Sequence, residues 1–203
     1  MQVPVRARSG EKSIQIGFAK DVPASWLQDW NGSLTNRGGV DRQLDAIEYL
    51  ESVINKWAFY RRKDRVVRSE EELRRRLATR ESELLGVLVA SAPWFQGGTV
   101  AGFCQFRRTW CHHIVFDFLG VHPLLLVPET REISGLGTAL LYRLAMVAME
   151  LQTENVWAET TDLSANFYAN LFGLPSLQDV LFISTPQFCA PLLSAVEAHP
   201  KTS

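Results

Sequence analysis

The chain has 203 residues, 46% hydrophobic and 21% charged, and its 21 basic and 22 acidic side chains leave a net charge of -1. That length suits one domain, 1–203, whose core needs no metal or disulfide staple. The balance excludes wholesale disorder and a global basic field for nucleic acid. Cys104, Cys111 and Cys189 form neither an even framework nor a C-x-x-C pair, which points to a reducing, cytoplasmic setting. The most apolar run, 113–127, carries Asp117 and His122 and is broken by Pro123, so it falls short of the ~18 apolar residues of a membrane span. Nothing at the N-terminus reads as a signal peptide.

Residues 1–12 read as a loose arm. The alternation of Ile14, Ile16 and Phe18 predicts a strand over 13–19. A short helix follows over 23–30 with Asp21 as its cap, and 31–39 reads as loop. Leu44, Ile47, Leu50, Ile54 and Trp57 recur at helical spacing behind Asp41, a suitable N-cap. Trp26, Trp30 and Trp57 read as core or interface. The stretch 61–80, ending in Arg80, sets nine basic side chains against four acids. Glu-to-Arg spacings of three and four suit a solvated helix; a surface for a cofactor phosphate, an acidic protein or RNA is the alternative.

The period then changes. Strands are predicted over 84–90, 99–107 and 113–121, joined as antiparallel hairpins with the turn Gln96-Gly97-Gly98 between the first two. A long helix follows over 135–151, a strand over 156–160, a helix over 163–172 closed by Gly173, and a strand over 178–184. The tail forms a short helix from Pro191. The order β-α-α-β-β-β-α-β-α-β describes a mixed α/β (α+β) sheet: an antiparallel meander, then two parallel-type crossovers.

Ser134-Gly135-Leu136-Gly137-Thr138 opens the long helix. Glycines let backbone approach a ligand, and the free N–H groups of a helix start bind phosphate oxygens. The segment has neither the third glycine of a dinucleotide fingerprint nor the Gly-Lys-Ser/Thr of a P-loop. Strand alternation groups Asp117, Leu119 and Val121 on one face, with Phe116, Phe118 and His122 on the other. Asp117 among aromatics is a candidate base with a pKa raised by desolvation, or a structural carboxylate. His122 is the rival base or a turn histidine on Pro123, and Glu159 is a third candidate. In Cys111-His112-His113, adjacent strand residues point to opposite faces, which disfavours a shared metal; Cys104 and Cys111 read as buried thiols facing each other across a hairpin.

Four pieces in order resemble the GNAT N-acetyltransferase superfamily over about 84–184. They are Phe116-Asp117-Phe118-Leu119-Gly120-Val121-His122-Pro123; the loop Arg131-Glu132-Ile133-Ser134-Gly135-Leu136-Gly137-Thr138; the strand Val156-Trp157-Ala158-Glu159-Thr160; and Ser164-Ala165-Asn166-Phe167-Tyr168. The resemblance implies a central sheet whose two middle strands splay to admit the pantetheine arm of acetyl-CoA, the acyl donor. It places Leu119, Gly120, Val121, Ile133, Ser134, Gly135, Leu136, Gly137, Thr138 and Asn166 on that cofactor, and it implies no metal. It makes Tyr168 the proton donor to the departing thiolate, a role that suits a phenol of pKa ~10 beside a thiol of ~8.5. Asp117, His122 or water would take the proton of the amine.

Two departures stand out. Glu132 occupies the position three before the first glycine where the family carries Gln or Arg, and about six extra residues separate Pro123 from Gly135. Leu124 to Val127 would extend the strand or form a lid. The resemblance implies transfer to a small-molecule or peptide amine, chosen by elements within 1–83; a homodimer is compatible with the sequence, and neither a membrane nor a nucleic-acid partner is expected. A non-catalytic CoA-binding or regulatory module is the alternative.

Overall fold

The computed structural model describes residues 1–34, 40–78 and 83–197. Strands β1 (Gln2–Ala7) and β2 (Gly10–Phe18) lead to helices α1 (Ser25–Asn31) and α2 (Val40–Arg62). A short β3 (Val66–Val67) and α3 (Glu70–Ala78) precede the meander β4 (Leu84–Ser91), β5 (Gly102–Arg108) and β6 (Ile114–Val121). Then come α4 (Pro123–Leu126), β7 (Ile133–Ser134), α5 (Leu136–Glu150), β8 (Asn155–Glu159), α6 (Asp162–Phe172), β9 (Val180–Ser184) and α7 (Thr185–Glu197).

One mixed sheet runs β7-β1-β2-β4-β5-β6-β8-β9, with β3 paired in parallel to β4. Strand β4 shows why it sits near the middle. Leu84, Leu88 and Ala90 join the core under α5 and α7, while Leu85 and Val87 join a second core with Trp30, Leu50, Val53 and Trp57 of α1 and α2. A strand covered on both faces reads as an unbroken apolar run. The three-layer arrangement follows.

The segment 1–12 is no loose arm. Val3, Val5 and Ala7 alternate inward, β1 pairs with β2 from Gln2↔Gln15 to Ala7↔Gly10, and Gly10 takes the turn at φ 113°. The outer edge of β1 pairs with β7, Arg6 opposite Ser134 and Ala7 opposite Ile133.

Four further expectations shift. Asp21 does not cap α1; its carboxylate accepts from Val22 N–H at 3.0 Å and from the Trp57 indole at 3.0 Å. Asp41 lies inside the first turn of α2, where a negative charge favours the helix dipole. Only the first late crossover is parallel: β6 and β8 run together, while β9 returns antiparallel to β8. Helix α7 begins at Thr185, with Pro191 inside it.

The arginine-rich stretch breaks into the end of α2, β3 and α3, and its charges find acids. Arg74 pairs with Glu70 at 3.7 Å, Arg76 with Glu72 at 3.0 Å and with Asp64 at 3.1 Å, and Arg65 with Glu83 at 3.4 Å. Arg80 lies outside the described residues, as does 35–39 of the predicted loop. Among the described residues no helix is long and apolar enough to cross a membrane, and no group of His, Cys, Asp or Glu is arranged to hold a metal ion.

Candidate active site

The site is organised by two irregularities of β6. The first is a register shift against β5: Gln105 pairs with Phe118, but Phe106 pairs with Phe116. Asp117 is the extra residue, and a bulge of this kind bends the strand and re-aims its side chains. The bulge overturns the predicted alternation. Phe116 enters the core beneath α5 and α7, whereas Asp117 and Phe118 both face α2. Leu119 and Val121 pack back on the α5 side.

The second irregularity is the parting of β6 and β8. They pair only at Ile114↔Val156 and Val115↔Trp157. Beyond Val115 the backbone groups of β6 that point away from β5 have no ladder partner on β8, so a slot opens there lined by unpaired donors and acceptors. A cleft of about 340 Å³ lies over this end, lined by Leu119, Gly120 and Val121 of β6, Gly137 of α5, Thr161, Ser164, Phe167 and Tyr168 at α6, and Arg42, Asp45 and Tyr49 of α2.

Helix α5 starts at the mouth of this cleft. Gly135 caps it in the left-handed conformation, φ 81° and ψ 9°, with no side-chain cap bond. A conformation of that hand suits glycine. The first-turn N–H groups have no acceptor within the helix and no capping side chain covers them, which fits an incoming anion. Ile133 is itself core, 2% exposed, and reaches the region through its backbone on β1. Ser134, Gly135, Leu136 and Thr138 surround the helix start without lining the cleft. Glu132 points elsewhere, into a separate hollow beside Arg8, Lys12 and Trp94. Arg131 donates from Nε to the Leu125 carbonyl at 2.9 Å, bracing the loop.

Tyr168 is 5% exposed, its ring edge-on to Phe116 and Phe167 at 5.7 and 5.1 Å. Burial pushes its pKa well above the usual phenol value, helped by Cys104 and Tyr49. The phenol therefore stays protonated at neutral pH. Helix α6, which carries it, is fixed by a capping box between Thr161 and Ser164 and by Gly173 at its end, φ 64°.

The other sequence candidates fall differently. Asp117 does not sit as an isolated carboxylate among aromatics: it accepts from Arg107 Nε at 3.0 Å and Gln105 Nε2 at 3.2 Å, and pairs with Lys56 at 3.0 Å. Its lone pairs are committed to cations and an amide, the arrangement of a structural carboxylate. His122 is fully buried, edge-on to Trp30 and Phe95, and its Nδ1 accepts from Leu124 N–H at 3.3 Å. It caps the single turn α4, the form taken by the extra residues after Pro123. Burial lowers its pKa to about 4, so the ring is neutral, turned into the core and away from the cleft. Asn166 is exposed on α6, on another side of the helix from Ser164 and Tyr168. Glu159 is exposed at the end of β8. Cys104 is buried opposite Leu119 and Cys111 is exposed in the β5–β6 turn, so the two thiols do not meet.

Sequence reasoning missed the α2 contribution. Asp45 and Ala46 fall one helical turn beyond Arg42 and Tyr49 two, and they look like the partly polar flank of an amphipathic helix; no motif marks them.

No family model and no curated protein matches the chain. Among solved structures the chain is similar to a GNAT-family acetyltransferase from Staphylococcus aureus Mu50, with 12% identity, 85% of this chain and 99% of that chain covered, and a TM-score of 0.44. It is similar to PaiA N-acetyltransferase from Thermoplasma acidophilum, solved with coenzyme A, at 13% identity, 80% and 88% coverage and a TM-score of 0.41. Nourseothricin acetyltransferase has 22% identity and a TM-score of 0.34 over 42% of this chain and 48% of that one, so the match spans about half its length.

Proposed function

We propose that the chain is an acyl-CoA-dependent N-acyltransferase that moves an acetyl group from acetyl-CoA to an amine by direct attack. The observation that carries this reading is the slot itself. Strands β6 and β8 part after one pair of residues past Ile114, and the opening meets Gly120, Gly137 and Tyr168 in one cleft beside the start of α5, which has no side-chain cap bond. A thin, extended ligand with an anionic end fits such a slot: its amides match unpaired strand edges, and its phosphates match free helix N–H groups.

Residues of the chain then divide the work. Unpaired backbone N–H groups of β6 beyond Val115 polarise the thioester carbonyl. The amine nitrogen forms a bond to the acyl carbon, the carbon–sulfur bond breaks, and the proton lost by nitrogen ends on sulfur. Tyr168, which lines the cleft, relays that proton, giving its own and taking another, so that no buried phenolate persists. Asp117 acts by holding Lys56 and Arg107 in place, and its committed lone pairs leave deprotonation of the amine to water.

A second reading, a CoA-binding module without turnover, draws on Glu132 standing where Gln or Arg is expected and on the unfitness of Asp117 and His122 as bases. Calorimetry with acetyl-CoA, followed by thiol release across an amine panel, decides between them. Binding with release supports the transferase; binding without release supports the module; no binding at millimolar acetyl-CoA removes both.

A further inference from the structure

A second cavity, of about 570 Å³, opens at the other end of the β6–β8 seam, with Arg107, Trp110, His113 and Trp157 among its lining residues. Trp157 is the last residue of β8 to pair with β6, so this cavity reaches the point where the two strands part, while its lining is separate from that of the cleft.

Its polar groups are unequally engaged. Glu83 is already taken, accepting from the Tyr60 hydroxyl at 2.5 Å and pairing with Arg65 at 3.4 Å. Arg107 gives its Nε to Asp117 and lies 5.7 Å from the centroid of the Trp157 ring, while its terminal nitrogens make no hydrogen bond among the described residues. Gln105, which donates to the same Asp117, is fully buried behind this layer and is not part of the lining.

The rim is built as firmly as the floor. Trp110 is 76% exposed, yet its turn is tied at both ends. Thr109 N–H donates to the His113 carbonyl at 2.9 Å, His113 N–H donates to Thr109 Oγ1 at 3.2 Å, and His112 closes the turn at φ 62° with Arg108 bound to its ring. A rigid turn that presents an indole beside a second indole and a half-free guanidinium has the chemistry of a ligand site.

We propose that this cavity takes the acceptor, and that the acceptor is an alkyl amine carrying an aromatic ring and a carboxylate, as an aromatic amino acid does. Its ring lies against Trp110 and Trp157, and its carboxylate takes the fork of Arg107. The word acceptor rests on the transferase reading; the binding chemistry does not.

L-phenylalanine and phenethylamine, which lacks the carboxylate, serve as the paired probes, titrated calorimetrically into the full chain. L-phenylalanine binds, and phenethylamine binds about tenfold or more weakly in comparison. Trp110→Ala and Arg107→Lys each weaken L-phenylalanine about fivefold or more. Trp110→Ala removes no buried side chain, and an unchanged melting temperature confirms its fold. Equal binding of the two probes, indifference to both substitutions, or no binding of L-phenylalanine overturns the proposal. Acetyl-CoA titrated into the same protein separates the two claims. Acetyl-CoA bound with L-phenylalanine ignored sinks the substrate class alone. L-phenylalanine bound with acetyl-CoA ignored upholds the cavity as a binding site and sinks the transferase.

Discussion

Lys56 Nζ on α2 lies 3.0 Å from Asp117 Oδ2 at the bulge of β6. The pair fastens a helix from the first third of the chain to the strand that shapes the slot. The Asp117 side chain is 12% exposed and that of Lys56 29%, and Arg107 completes the cluster. Removing the anion strands two cations. Asp117→Ala therefore lowers stability by about 3 kcal/mol, and Lys56→Met, which leaves the Arg107 pair intact, by about 1 kcal/mol or less. Urea melts measure both; equal losses would show that the cluster is not organised around Asp117.

On the transferase reading, Tyr168 separates chemistry from folding. Its ring is core, so Tyr168→Phe keeps the contacts to Phe116 and Phe167. Turnover falls about 100-fold with KM for acetyl-CoA and melting temperature nearly unchanged. A loss of KM instead would make the hydroxyl a binding group.

Gly137 borders the cleft, and a β-carbon there would meet Phe167 at 3.7 Å and Leu119 at 3.8 Å, ordinary contact distances. Gly137→Ala is accordingly tolerated by the fold. Gly137→Val fills the cleft and weakens acetyl-CoA about tenfold or more in calorimetry. Gly135→Ala meets no atom but forces a side chain into φ 81°, which costs about 1 kcal/mol of stability in a urea melt.

His122 gives the fold an acid-sensitive latch. The buried neutral ring has a pKa of about 4, against ~6.5 in an unfolded chain. Between those values the unfolded state binds more protons, so stability is full above pH 6.5 and falls as pH drops toward 4. The total is on the order of 3 kcal/mol. Protonated Nδ1 cannot accept Leu124 N–H, so the α4 turn loosens first. Urea melts at pH 7, 5.5 and 4.5 should show the decline, and His122→Gln should flatten it.

Periodicity carried the reading furthest where burial was one-sided or complete. The meander, α5, α6 and the Gly173 cap all follow from local pattern. The bulge at Asp117 did not, because it arises from the count of residues in β5 against β6, a pairing property that neither strand displays alone. The role of His122 was hidden for the same reason: Trp30 and Phe95, which enclose it, come from distant segments. Residues 1–12 misled because the single alternation Val3, Val5, Ala7 is short, and of its two partners, β2 and β7, the second is a two-residue strand. The slot was legible only through the order of four motifs, and its α2 wall not at all.

The pairing of β1 with β7 has a consequence for assembly. Arg6 and Ala7 sit opposite Ser134 and Ile133, and Arg8 N–H donates to the Glu132 carbonyl at 2.9 Å, so the first strand is the ledge on which the glycine loop rests. That ledge waits through synthesis of the whole meander before its loop emerges. Closure of so long a chain segment is entropically late, and the glycine loop at the start of α5 is among the last parts of the molecule to form.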